Sequence, residues 1–365
     1  MKKNIFSKSI LFEFDQSEFS KILKCELLFY EDTNAEPDVK IYINKKLKMD
    51  TILNNPKIHF EFKNGYAFQF NAILITWNFS GDIPIIYIDL PEDNFNPLKA
   101  LIKRFFSIQY TLLPQEAGQI LHELVLVPLT YIFEDIAPVH CSSFISNNKS
   151  FFVGGTGGTG KTSTLIEIGS KKEVSFFADD ITIISKDGFS YPNFAYPKIY
   201  AYNTIGNPKL EKLLLKNDGI VGKLQWVIKK RRNPSNVRRR ISPNILYNIP
   251  KKDRYKLDTY IIISRGDFRD ITYKNVDCEK MADVTLEIMK SEYWVINNHY
   301  QWHKYNSYLR NESPLFDLDT VFKNWKSVYL QIFSRSTNYI FEVPSTMENK
   351  KFKEKMEEII MNEIL

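Results

Sequence analysis

The chain has 365 residues, enough for two domains or for one large domain with an added lobe. Hydrophobic residues make up 44% and aromatic residues 14% against 25% charged, which supplies a buried core and excludes a disordered chain. Three cysteines, Cys25, Cys141 and Cys278, lie far apart with no C-x-x-C pair, which excludes a disulfide framework and a zinc site and fits a reducing compartment.

The first residues carry lysines but no apolar stretch of signal-peptide length. The most apolar run, 120–133, contains His122 and Glu123 and is too short to span a bilayer. A cytoplasmic protein with no membrane partner is therefore expected. The net charge of +6 is uneven: ten Lys or Arg and no Asp or Glu fall between Gly219 and Lys252, so the rest of the chain sums to −4.

Residues 1–100 read as β-rich, with alternating or apolar runs at 40–44, 58–62, 66–70 and 83–88 broken by Asn-Gly, Gly-Asp and Pro. No catalytic constellation is visible there, and residues 1–114 are read as an N-terminal β-rich lobe that packs on the core or recognises a partner. Helices are predicted from Pro97 and from about Gln115 to Glu134, the second with Ile120, Leu121, Leu124, Val125 and Leu129 on an apolar face and a kink at Pro128. His122 and Glu123 read as its polar edge. Next come a strand through His140, a hairpin turn at Asn147-Asn148, and the apolar strand Phe151-Phe152-Val153.

That strand feeds Gly155-Thr156-Gly157-Gly158-Thr159-Gly160-Lys161-Thr162, which fits G-x-x-x-x-G-K-[ST]. Glycines let such a loop take backbone angles closed to other residues and aim successive N–H groups at one anion, with the start of the next helix adding to the pull. In that geometry Lys161 reaches the β- and γ-phosphates of ATP, Thr162 ligates Mg²⁺, and Ser163 completes the binding segment. After a short helix over about 162–169, a strand from Val174 delivers Asp179-Asp180, and a further strand follows from Ile181. Paired carboxylates at a strand end opposite a phosphate loop can divide the work: one holds Mg²⁺, the other accepts the proton of an attacking hydroxyl. A strand and hairpin before the loop, in place of a plain βαβ unit, predict a mixed sheet.

The basic stretch within 219–252 reads either as a mobile insertion loop or as a clamp for an anionic substrate or the nucleotide. No nucleic-acid-binding motif accompanies it, which leaves nucleic acid the weaker alternative. Residues 257–264 read as a buried strand with Arg265 at its end, either a phosphate-neutralising or a surface arginine. Residues 279–312 read as helical, as packing or a lid. A strand at 339–344 and an amphipathic helix carrying Phe352, Met356, Ile359 and Ile360 close the chain.

His140-x-Ser, the hairpin, the glycine-rich loop, the short helix and Phe-Ala-Asp-Asp-Ile together resemble the HPr kinase/phosphorylase-like family, bacterial Ser/Thr kinases with a core related to phosphoenolpyruvate carboxykinase. The resemblance covers roughly residues 115–200. It implies an α/β fold with a mixed-sheet P-loop kinase core over 115–365, ATP and Mg²⁺ as cofactors, and a hydroxyl-bearing acceptor in a peptide, protein or small molecule. Asp179 would be the base, Asp180 would support the metal with Thr162, and His140 and Lys161 would sit near the transferred group. HPr kinases assemble, so a homo-oligomer is compatible with it. The glycine-rich signature that follows the Asp-Asp segment in HPr kinases is absent from 187–203, so the resemblance does not extend to HPr as acceptor. A regulatory nucleotide-dependent switch that holds a partner through the basic segment is the alternative reading.

Overall fold

The computed structural model describes residues 1–71, 73–90, 97–109 and 113–365, which form a mixed α/β structure. No helix among them is long and apolar enough to cross a membrane. The connection at 110–112, expected between two helices, lies outside the described residues.

The first lobe is built on an eight-stranded mixed sheet. Its opening hairpin, Lys2–Ile5 with Lys8–Glu13, turns through Phe6 and Ser7, both at positive φ, as a two-residue hairpin turn requires. The strands Lys8–Glu13, Val39–Ile43 and Ile85–Asp89 pair in parallel, and the remainder is antiparallel. A helix not foreseen from the alternating pattern, Glu18–Leu27, connects two of the parallel strands. Ser17 caps it by accepting the Ser20 N–H, and its Leu23 and Leu27 bury one turn apart.

The second sheet has seven strands. Lys149–Gly154 pairs antiparallel with Ile136–Ser146 and parallel with Tyr255–Gly266, which closes a hydrogen-bonded circuit through Ser175–Ser185 and Phe189–Tyr191. The mixed sheet matches the expectation, and so does the turn: Asn147 and Asn148 both take positive φ. The expected break at Asp179-Asp180 is corrected. Ser175–Ser185 is one strand of 11 residues, and the two aspartates lie in its middle.

Between the sheets, the predicted kinked helix is a helical segment in three parts. Leu113–Ile120 is α-helical, Leu121–Leu126 is wound wider, and Val127–Tyr131 tightens where Pro128 removes a donor. Its Leu121, Val125 and Leu126 are fully buried and belong to one apolar core that continues from Ile41 and Ile75 of the first sheet to Phe152 and Ile261 of the second. His122 is likewise fully buried, beside Glu26 and Tyr30, and not a polar edge. The region 219–252 is ordered: helix Ile220–Arg232 leads to the strand Arg238–Arg240, which pairs with Lys198–Tyr200.

Candidate active site

Three strands in register set the site. Gly154, the last residue before the glycine-rich loop, lies opposite Cys141, and Cys141 lies opposite Asp180 on the other side. Asp179 lies opposite Ser142, and Ile181 opposite His140. The loop and the aspartate pair are therefore two strands apart in the same sheet, joined through Cys141. The hydroxyl of Thr162 donates to Asp179 Oδ1 at 2.8 Å, and that of Ser142 donates to the same oxygen at 2.7 Å.

Neighbouring side chains on a strand point to opposite faces, yet Asp179 and Asp180 both line one cavity of about 240 Å³. A bulge between Phe176 and Ala178 and a φ of 143° at Asp180 break the alternation. For a residue with a side chain that conformation costs about 1–3 kcal/mol and is held only where the surroundings impose it. Here they do: Asp180 meets His140 Nε2 at 3.1 Å and the Lys198 ammonium at 3.1 Å, and Lys198 in turn pairs with Glu123.

The loop runs from Gly154 into the helix Lys161–Ile168. Gly155, Gly158 and Gly160 all have positive φ. At Gly160 a Cβ would lie 2.5 Å from the Phe352 ring, so only glycine passes beneath the C-terminal helix. Lys161 is folded over its own loop, its ammonium donating to the Gly155 and Thr156 carbonyls at 3.0 and 2.9 Å. Thr159 turns back to the Thr156 carbonyl. Ser163 points away, hydrogen-bonded to Asn203 in the interior, so its hydroxyl is not at the cavity. Arg265 holds the loop by donating to the Thr159 carbonyl at 3.0 Å, with its guanidinium over Phe352.

An anion already uses one of the loop's donors. The Gly157 N–H donates to Glu292 Oε1 at 2.6 Å, and that carboxylate lies 4.0 Å from His140 Nδ1, a buried nitrogen with no hydrogen-bond partner. The loop thus fits an oxyanion, and the neighbouring Thr162, Asp179 and Asp180 oxygens suit a hard cation such as Mg²⁺. Such an ion needs only one or two protein carboxylates beside phosphate oxygens and water. Glu292 competes for the donor that a phosphate would take. Glu292→Ala should tighten nucleotide binding about fivefold, since a partly exposed charge-assisted bond contributes on the order of 1 kcal/mol. Titration calorimetry reads it, and unchanged or weaker binding would exclude the competition.

The two carboxylates differ in electrostatics. Burial, reinforced by the charge of Asp180, pushes Asp179 above the usual carboxylate range, although the Ser142 and Thr162 hydroxyls oppose it. Burial also acts on Asp180, but Lys198, then His140 and Lys161, outweigh it and hold the group well below that range. Burial lowers Lys161, with Asp180, Glu292 and Asp179 opposing. A carboxyl raised on folding stabilises the fold below its unfolded value, near 3.8, and that contribution is lost as pH rises through the folded value. At neutral pH Asp179 therefore costs stability. Asp179→Asn keeps the oxygen that accepts both hydroxyls and should raise Tm by about 2 °C or more at pH 7, with the gain shrinking as pH approaches about 4. A scanning-calorimetry Tm below wild type at pH 7 would contradict this.

Lys198, Arg238 and Glu292 reach the cavity from three separate elements, and of these only Arg238 belongs to a stretch that the sequence singled out. Arg238 lines it beside Tyr200, whose hydroxyl accepts at 2.9 Å. The other two arginines of that strand turn inward, Arg239 to Asp218 and Arg240 to Glu26. Only one of the three therefore faces the site, and the basic stretch is largely a structural tie. No family model matches the chain, and no curated protein matches it.

Proposed function

We propose that the protein is an ATP-dependent kinase with a P-loop core of the HPr kinase type, transferring the γ-phosphate to a hydroxyl acceptor. The observation that carries this reading is the 2.8 Å contact between the Thr162 hydroxyl and Asp179, with Asp180 and His140 next to it at the mouth of a second cavity.

Mg²⁺·ATP, when bound, supplies the phosphoryl group and the cation that offsets its charge. The loop amides from Gly155 to Gly160 and the helix start cradle the phosphates, and Lys161 leaves its own carbonyls to neutralise them. Thr162 and Asp179 face the metal side, since two hydroxyls already orient the buried Asp179 oxygen. Of the aspartate pair only Asp180 lines the second cavity as well as the first, which makes it the one to meet an acceptor hydroxyl. This reverses the division that the resemblance implies, in which Asp179 is the base and Asp180 supports the metal. Reach decides before acidity does. The low proton affinity of Asp180 suits a group that orients the hydroxyl and takes its proton late, as its oxygen bonds to phosphorus and ADP leaves. His140 steadies Asp180. Most of the acceleration then comes from positioning and fixed charge.

A second reading is supported by the Glu292 contact. Phosphate binding would release Glu292 from Gly157, so nucleotide occupancy could be signalled to the helices Cys278–Glu292 and Trp294–Leu309. Incubation with γ-labelled ATP and candidate alcohols and peptides separates the two. Labelled acceptor supports the kinase, whereas labelled inorganic phosphate alone, with every acceptor, supports a nucleotide-driven switch.

A further inference from the structure

A second cavity of about 250 Å³ opens from the first. His140, Asp180, Lys198 and Glu292 line both, so the two meet at the carboxylate proposed to face the acceptor. Its far wall is apolar: Phe70 from the first lobe, Ile120 and Leu124 from the central helical segment, and Val295 and Ile296 from the helix after Glu292. The volume falls below the about 300–1,000 Å³ of sites for drug-sized ligands, which favours a small molecule.

Charge narrows the class. Among the described residues, three carboxylates line this cavity, Glu123, Asp180 and Glu292, against the single ammonium of Lys198, which already bridges Glu123 and Asp180. An anionic acceptor would meet unbalanced like charge beside an incoming polyphosphate. A cationic one would find a carboxylate, because Glu292 is set free when a phosphate takes the Gly157 N–H. Resting on the kinase reading, we infer that the acceptor is a small amino alcohol without a carboxylate: its aliphatic body lies against Phe70, Leu124 and Ile296, its ammonium is taken by Glu292, and its hydroxyl is held by Asp180. In transfer, the alcohol oxygen bonds to the γ-phosphorus, the anhydride bond to ADP breaks, and the hydroxyl proton passes to Asp180.

The test uses the full chain with three alcohols of similar skeleton: leucinol, 4-methylpentan-1-ol and 2-hydroxy-4-methylpentanoate. Binding is measured by calorimetry in the presence of Mg²⁺·ADP, and phosphorylated product by mass spectrometry with Mg²⁺·ATP. The inference predicts at least about tenfold tighter binding of leucinol than of the neutral alcohol, no binding of the hydroxy acid, and phosphorylation in the same order. Leu124→Lys, which leaves three carboxylates against two ammoniums, should narrow the preference for leucinol over the neutral alcohol. Phe70→Lys, at a half-buried strand end, makes the same narrowing available if Leu124→Lys does not fold. Equal binding of all three, preference for the hydroxy acid, or phosphorylation of a peptide serine with none of the alcohols would overturn the inference and leave the kinase reading standing. Failure of the chain to bind Mg²⁺·ADP and to label any acceptor would remove both.

Discussion

Asp180→Asn should lower phosphoryl transfer at least about a thousandfold while leaving nucleotide affinity within a fewfold of wild type. The substitution preserves shape and removes charge from the member of the aspartate pair that lines both cavities. Asn has the branching and size of Asp, so it meets the same backbone strain at φ 143° and adds none. Two effects on stability oppose each other. Lys198 keeps Glu123 but loses one of its two carboxylates, while the strain-free removal of a partly exposed charge relieves the desolvation that opposes it. A depressed carboxyl contributes stability above its unfolded value and loses it as pH falls through the folded one, so the variant should be the less sensitive of the two to acid. Steady-state assays give kcat and nucleotide affinity separately. Loss of affinity with kcat intact would move Asp180 to the nucleotide side and restore Asp179 as the candidate base.

Glu26→Ala should destabilise the fold by about 3–5 kcal/mol, read by urea denaturation, because it removes the partner of a buried charge. Glu26 and Arg240 are both about 2% exposed, with the guanidinium 3.2 Å from the carboxylate. Arg240 lies well below the ordinary reach of solvent, and burial of Glu26 is outweighed by Arg240 and His122, which hold its carboxyl below the usual range. The carboxylate also fills the notch over Gly118, where a Cβ would lie 1.9 Å from its oxygen. The pair joins the helix Glu18–Leu27 of the first lobe to the strand beside Lys198, and so connects the basic stretch to the site by structure. A change under 1 kcal/mol would show that the pair is solvated and that this tie does not exist.

What local spacing records was legible. The loop could be read because glycine, lysine and threonine at fixed offsets have few other uses, and the Asn147-Asn148 turn because asparagine tolerates positive φ. The proximity of Asp179 to Thr162 depended on strand register, which the hairpin before the loop foreshadowed. Glu123, Lys198 and Glu292 were not legible. Each is an ordinary charged residue in its own segment, and its role appears only when the helical segment 113–131, the strand Lys198–Tyr200 and the helix Cys278–Glu292 converge. Lys198 sits two residues before Tyr200 in a stretch that reads only as aromatic and proline-rich.

Local pattern also failed where two signals overlapped. Asp179-Asp180 looked like a strand end because carboxylates are poor strand formers, yet the sheet runs through them. Partners on both sides, with Ser142 and Thr162 on one aspartate and His140 and Lys198 on the other, hold them there. The basic stretch read as a mobile loop or an anion clamp because charge and Pro234 dominate it. Its folded form depends on distant acids, Glu211, Asp218 and Glu26, that take up Lys230, Arg239 and Arg240.

The most direct measurement is a calorimetric titration of ATP into the full chain, with and without Mg²⁺, for wild type, Lys161→Ala and Asp179→Asn. If the loop and the aspartates form one site, wild type binds ATP more tightly with Mg²⁺ than without, Lys161→Ala loses binding in both conditions, and Asp179→Asn binds but no longer responds to the metal. Binding that is indifferent to Mg²⁺ and to both substitutions, or no binding by wild type, would contradict it.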